Sequence, residues 1–227
     1  MLSAIIVAGG SSRRMGFDKT FALLAGRAVI AHSIAAFEAT KSVTEIIVVG
    51  RAERLRELET VIAREAFSKV RRVVAGGIHR QDSVRNGLEA LRAEAKFVAV
   101  HDAARPLITP AQIEDVYAHA QVLGAAALAS PVRDTLKKAD ANQVVCGSVS
   151  RENVFGMETP QIFARDFLLQ AYELVTERQL SITDEVSAIE QLGRKVVLVP
   201  NECWNFKITY PADLPLAEFV LNDRRSD

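Results

Sequence analysis

The 227-residue chain has only 2 cysteines, 1 tryptophan and 6% aromatic residues. Two cysteines cannot build a disulfide framework or a zinc centre, so Cys146 and Cys203 read as buried free thiols. No apolar run is long enough to span a bilayer. The opening Met1–Ala8 lacks a basic leader and runs at once into Gly9 and Gly10, so it reads as a buried strand, with cytoplasmic residence as the default. Excess charge of one sign is missing too: Lys+Arg 28 against Asp+Glu 28 gives a formal net charge of +0. That balance argues against a strongly basic nucleic-acid binder while leaving room for a local basic pocket. With 49% hydrophobic and 25% charged residues, the chain has the means to bury a core, and its length suits one domain over 1–227.

Short apolar runs alternate with amphipathic stretches. Strands are expected at 4–7, 45–50, 70–75, 96–100, 125–129 and 195–199. Helices are expected at 29–37 and 51–65, through Val84, Leu88 and Leu91, and from Pro211 onward. Thr109, Pro110 and Gln112 form a helix start, with an N-cap, a proline at the first position and a capping-box partner. Near-continuous apolar strands between helices predict an α/β fold with a mostly parallel sheet covered on both faces. The stretch 133–154 breaks the rhythm: it is polar, β-prone and too long for a plain loop, so it reads as a projecting β-arm.

Ligands of such sheets bind beyond the carboxyl ends of the strands. After the first strand come Ala8, Gly9 and Gly10, then Arg14 and Lys19. This is a glycine- and serine-rich turn able to aim N–H groups at phosphates, with two cations beside it. It matches neither a P-loop nor the dinucleotide fingerprint. After the third strand, Gly76-Gly77 permits close backbone approach to a flat ligand. Ser83 either contacts a base or caps the following helix. After the fourth, His101-Asp102-Ala103-Ala104-Arg105-Pro106 places a hard carboxylate at a strand end. Asp102 suits a divalent cation, or an ordering pair with Arg105; His101 suits a structural role. Later segments, Pro131–Thr135, Arg151, Thr159-Pro160-Gln161, Ile182–Glu185 and Asn205–Thr209, offer cations and hydroxyls for a second phosphate.

In this order, these segments make the chain resemble the 2-C-methyl-D-erythritol 4-phosphate cytidylyltransferase family from about Ser3 to Leu221. The resemblance implies a Rossmann-like nucleotidyltransferase sheet and a homodimer built with the β-arm. It implies CTP and a sugar-alcohol phosphate as substrates, and Mg²⁺ as cofactor with Asp102 as the metal-side carboxylate. It further implies that Ala8, Gly9, Gly10, Arg14, Lys19, Gly77, Ser83, Asp102 and Ala103 bind nucleotide. Asp102, Arg105, Thr135, Arg151, Thr159, Thr183 and Lys207 would bind the acceptor, Thr135 and Arg151 from across the dimer. Arg14, Lys19, Arg151 and Lys207 would be catalytic. No nucleic acid or membrane partner is implied. Ser12, Ile78, Glu158 and Trp204 depart from the family pattern: Ser12 replaces a glycine, Ile78 an acidic residue, Glu158 a glutamine and Trp204 an aspartate. The nearest rivals are a ribitol-5-phosphate cytidylyltransferase, with a similar first loop and Asp102 segment, and a non-catalytic nucleotide-binding relative.

Overall fold

A computed structural model describes residues 1–10 and 15–224. In chain order the elements are β1 (Leu2–Ala8), β2 (Leu23–Leu24), β3 (Arg27–Ala28), α1 (Val29–Ala39), β4 (Val43–Gly50), α2 (Leu55–Arg64), β5 (Val70–Ala75), α3 (Arg80–Ala90), β6 (Phe97–Asp102) and α4 (Pro110–Leu123). There follow β7 (Ala125–Pro131), β8 (Leu136–Ala139), β9 (Val145–Val149), β10 (Phe155–Ala164), α5 (Arg165–Glu177), α6 (Glu185–Glu190), β11 (Val197–Pro200) and α7 (Asp213–Asp223).

Seven strands form one sheet in the order β11-β7-β10-β6-β1-β4-β5. All run parallel except β10, which pairs antiparallel with both β6 and β7. The expected α/β architecture is therefore present. The alternating pleat sends successive residues of β1 to opposite faces. Ala4 and Ile6 pack under Ile30, Ile34 and Phe37 of α1 and Ile113 of α4. Ile5 faces the other way, toward Val84 of α3 and Leu168 of α5. Both faces are thus covered, as strands apolar throughout require.

Local chemistry sets several ends. Thr109 Oγ1 accepts from the Gln112 N–H at 3.3 Å while the Gln112 side chain accepts from the Thr109 N–H at 3.0 Å, completing the expected capping box. Gly124 ends α4 at φ 82°, a left-handed conformation in which a Cβ would also lie 2.4 Å from the Phe167 ring. Two elements start later than expected. The 51–65 stretch opens with a 3₁₀ turn at Ala52–Arg54, and the last helix starts at Asp213, leaving Pro211 in the preceding turn. The fourth strand runs on to Asp102, so that carboxylate sits on the strand end itself.

Within 133–154, β8 and β9 pair antiparallel in a small sheet of their own, and nearly every residue there is exposed. The Val132 N–H donates to the Val154 carbonyl at 3.0 Å and closes the base of this excursion. Both cysteines are exposed, against the expectation of buried thiols. Cys146 rides on this polar arm and Cys203 on the loop before Trp204, where no core is available to cover them.

Candidate active site

The carboxyl ends of β5, β4, β1 and β6 lie side by side because these strands are parallel neighbours, and a cleft opens beyond them. A cavity of about 640 Å³ there is lined by Ala8, Gly9, Gly10, Lys19, Gly77, Ser83, Asp102, Ala103 and Lys207. A second cavity of about 390 Å³ adjoins it, lined by Arg105, Thr159, Thr183 and Glu158. Arg80, Asp102 and Lys207 line both, so the two spaces share one wall.

That wall is a line of opposite charges. Asp102 Oδ2 accepts from Lys207 Nζ at 2.7 Å and Oδ1 from Arg80 Nε at 3.2 Å. Arg80 Nη1 donates to Glu185 Oε1 at 2.6 Å. The Tyr172 hydroxyl donates to the same oxygen at 3.1 Å. Burial alone would raise the Asp102 pKa, but Arg80 and then Lys207 outweigh it and hold the carboxyl well below the usual range. Burial likewise works against charge on Arg80, and Glu185 and Asp102 outweigh it, so its pKa is raised. Tyr172 is pushed well above its ordinary value, first by burial and then by Glu185.

Behind Asp102 stands a buried hydrogen-bond chain. His101 Nε2 lies 3.2 Å from the Arg105 carbonyl, which can only accept, so Nε2 carries the proton. Nδ1 then accepts from the Thr159 hydroxyl at 3.0 Å, and Thr159 Oγ1 accepts from the Asp102 N–H at 3.1 Å. His101 is fully buried, and that burial lowers its pKa to about 3, so it stays neutral. Its structural role is as expected. β10 runs antiparallel to β6 with Gln161 opposite Val100, and that register carried on along both strands sets Thr159 against Asp102.

Other expected residues are placed as follows. Lys19 Nζ donates to the Ile208 carbonyl at 2.7 Å at the cleft wall. Arg105 does not order the loop through a side-chain pair with Asp102. Its guanidinium donates to the carbonyls of Asn205 at 2.8 Å and Met157 at 3.2 Å, and burial lowers its pKa. Ser83 is buried against the glycine turn, accepting from the Gly77 N–H at 3.2 Å and donating to the His79 carbonyl at 3.3 Å. A Cβ on Gly77 would sit 2.2 Å from Asp82 Cβ, so that position has room only for glycine. Thr183 is exposed at the second cavity, 3.2 Å from Ser187 Oγ. Thr135 and Arg151 lie on the arm and line neither cavity; Arg151 Nη1 donates to the Arg133 carbonyl. Arg14 and the Ser12 departure lie outside the described residues.

Of the other departures, Ile78 is 94% exposed on the rim of the larger cavity. Trp204 lines neither cavity and stacks edge-on against Phe206. Glu158 is buried and takes hydrogen bonds from Asn201 and Asn205 at 2.9 Å each and from Ser130, so it braces the loop beneath the second cavity. Sequence reasoning assigned no role to Arg80 or Glu185. Arg80 stands between Gly77 and Ser83, but its partner lies 105 residues away, and no local pattern connects them.

The donor set fits magnesium in one particular way. No cluster of three or more His, Cys, Asp or Glu side chains able to hold a metal occurs among the described residues. Asp102 offers hard oxygens, each carrying one hydrogen bond and a second lone pair. A Mg²⁺ ion bound by one carboxylate completes its shell with phosphate oxygens and water, and this set suits that mode.

The chain matches the family model described as 2-C-methyl-D-erythritol 4-phosphate cytidylyltransferase over residues 2–223. A protein of that name from Pelotomaculum thermopropionicum is 39% identical over 227 residues, covering 99% of this chain and 95% of the relative. One from Dehalococcoides mccartyi is 38% identical, covering 99% and 97%. Among solved structures, a 4-diphosphocytidyl-2C-methyl-D-erythritol synthase from Anaerococcus prevotii superposes with a TM-score of 0.86 at 28% identity, covering 98% of this chain and 96% of that one. The 2-C-methyl-D-erythritol 4-phosphate cytidylyltransferase of Thermus thermophilus gives 0.79 at 30% identity, covering 98% and 100%.

Proposed function

We infer the chemistry of the cleft from one premise: the chain belongs to the 2-C-methyl-D-erythritol 4-phosphate cytidylyltransferase family. It is an enzyme, a nucleotidyltransferase. It moves a cytidylyl group from CTP to 2-C-methyl-D-erythritol 4-phosphate in isoprenoid biosynthesis, yielding 4-diphosphocytidyl-2-C-methyl-D-erythritol and pyrophosphate. The observation that carries this for the site is the shared wall: two cavities, one for each substrate, meet at Arg80, Asp102 and Lys207.

The larger cavity takes CTP. Ala8, Gly9 and Gly10 face the phosphates, Gly77 and Ser83 stand at the cytosine end, and Asp102 and Ala103 lie at the ribose side. Among the described residues nothing lies within 4 Å of a Cβ built on Gly10, so backbone and ligand can meet there closely. The smaller cavity takes the acceptor, between Thr159, Thr183, Arg105 and Lys207. A phosphate oxygen of the acceptor attacks the α-phosphorus in line; the bond to the β-phosphate bridge breaks, and pyrophosphate leaves with that electron pair. The nucleophile is already an anion near neutral pH, its second pKa lying at about 6, so no general base is required. Catalysis is positioning and charge neutralisation. Lys19, with Arg14 from the same loop, stabilises charge on the nucleotide phosphates. Lys207 holds the acceptor phosphate beside Asp102. Mg²⁺ would be held by Asp102 together with substrate phosphate oxygens, and when bound it neutralises phosphate charge.

The whole of 1–227 works as one nucleotidyltransferase domain, with 133–154 as the arm of a homodimer. Thr135 and Arg151 reach the acceptor cavity of the neighbouring subunit; the exposed two-stranded build of the arm supports this. Two unpaired, exposed thiols fit the reducing cytoplasm. The test is pyrophosphate release from CTP and 2-C-methyl-D-erythritol 4-phosphate, with and without Mg²⁺. Ribitol 5-phosphate and UTP serve as competing substrates. Release only with the methylerythritol acceptor and CTP is expected; equal turnover with ribitol 5-phosphate, or CTP binding without release, would overturn it.

A further inference from the structure

Resting on that reading, we propose that Arg80 is a further catalytic residue, a cation placed where the two substrates meet, and that buried Glu185 is the residue that positions it. Arg80 opens α3, where a positive charge faces the positive end of the helix dipole and gains nothing from it. The helix does not explain the residue; its partners do. Asp102 arrives from the end of β6 and Glu185 from the start of α6, and they grip Nε and Nη1 at 3.2 and 2.6 Å. Two fixed nitrogens set the plane of a rigid fork. Nη2 has no protein partner among the described residues, and the side chain is 26% exposed on the wall common to both cavities. A guanidinium edge held there offers donors to the oxygens of a phosphoryl group in transit between the cavities.

Glu185 is 0% exposed and its Oε2 is buried without a hydrogen-bond partner. A buried ion pair of this kind adds little to folding compared with an apolar pair of the same shape. Its yield here is the orientation of Arg80, with Tyr172 fixing the carboxylate from behind.

Pyrophosphate release with CTP and 2-C-methyl-D-erythritol 4-phosphate, together with Tm, tests this on Arg80→Gln, Glu185→Gln and the double variant. Arg80→Gln should lower kcat by about 10²–10³, the cost of losing one donor to a developing charge, and should lower kcat/KM for both substrates alike. Glu185→Gln should lower kcat by about tenfold. In Arg80→Gln the buried Glu185 loses its countercharge, so Tm falls. In the double variant two amides face each other, so the part of the Tm loss due to Glu185 is recovered, Asp102 keeping only Lys207, while kcat stays at the Arg80→Gln level; the Glu185 change adds nothing once Arg80 is gone. A double variant that regains wild-type kcat together with its Tm would make the pair merely structural and overturn the proposal. So would an Arg80→Gln enzyme whose loss is confined to Tm or to the KM of one substrate. A wild-type enzyme that released no pyrophosphate would instead sink the reaction assigned above, and this role with it.

Discussion

Single side chains in the cleft do two different jobs, and their partners separate them. Lys19 lines the larger cavity, where its ammonium donates to the Ile208 carbonyl. Lys19→Ala is expected to lower kcat by about 10²–10³ at saturating CTP and acceptor, with Tm and the far-ultraviolet spectrum unchanged; wild-type turnover would remove it from the machinery. His101 and Thr159 belong to the other kind: they brace Asp102 through a buried hydrogen-bond chain that ends on the Arg105 carbonyl. His101 carries a pH signature. In the unfolded chain it takes a proton near pH 6.5, while burial holds the folded value at about 3. Between those values the unfolded state binds more protons, so stability falls as the pH drops, by up to about 1.4 kcal/mol per pH unit. Asp102, whose pKa is depressed, adds further loss below the ordinary carboxylate range. Denaturant unfolding from pH 7 to pH 4 should show this slope, and His101→Gln should flatten it; an unchanged slope would mean that His101 does not stay neutral in the fold.

Elements show where the sequence speaks and where it does not. β1, β4 and β6 are legible because each carries an apolar run, Ala4–Ala8, Ile46–Val49 and Phe97–Val100, that is largely buried. The start of α4 is legible because Thr109, Pro110 and Gln112 act within one turn. β10 is not, since its Met157–Gln161 stretch carries a proline and a register shift in place of alternation. Its antiparallel run, which delivers Thr159 to Asp102, is a tertiary fact. The glycine turns are legible as turns, and the structure distinguishes them. A Cβ on Gly77 meets Asp82 at 2.2 Å, against the first turn of α3, whereas one on Gly10 meets no described atom within 4 Å. Gly77→Ala should therefore destabilise the fold by about 1–3 kcal/mol through overpacking. Gly10→Ala should leave Tm within about a degree of wild type and lower kcat/KM for CTP by about tenfold or more, because the added methyl enters the ligand's space. Thermal melts and initial rates check the pair; equal Tm losses in both would end the distinction.

At the scale of the whole molecule, charges that sum to zero are arranged so that Lys19, Arg80 and Lys207 gather at one cleft, while Thr135 and Arg151 stand on an arm outside it. The cleft of one chain gathers three cations, two of them paired with Asp102, yet two of the residues that the family resemblance attaches to the acceptor line neither of its cavities. The proposed homodimer resolves this, and it makes a prediction that no single-chain arrangement shares. Each site would be composed of Lys19 from one subunit and Arg151 from the other. Arg151→Ala and Lys19→Ala homodimers should each be nearly inactive, since every site lacks one cation. When the two variants are unfolded together and refolded at equal amounts, half the dimers pair unlike chains, and in those dimers one site collects both substitutions while the other collects none. Turnover should recover to about a quarter of the wild-type value on statistical pairing. If Arg151 served the cleft of its own chain, every site in the mixture would still lack a cation and the rate would stay at the level of the separate variants.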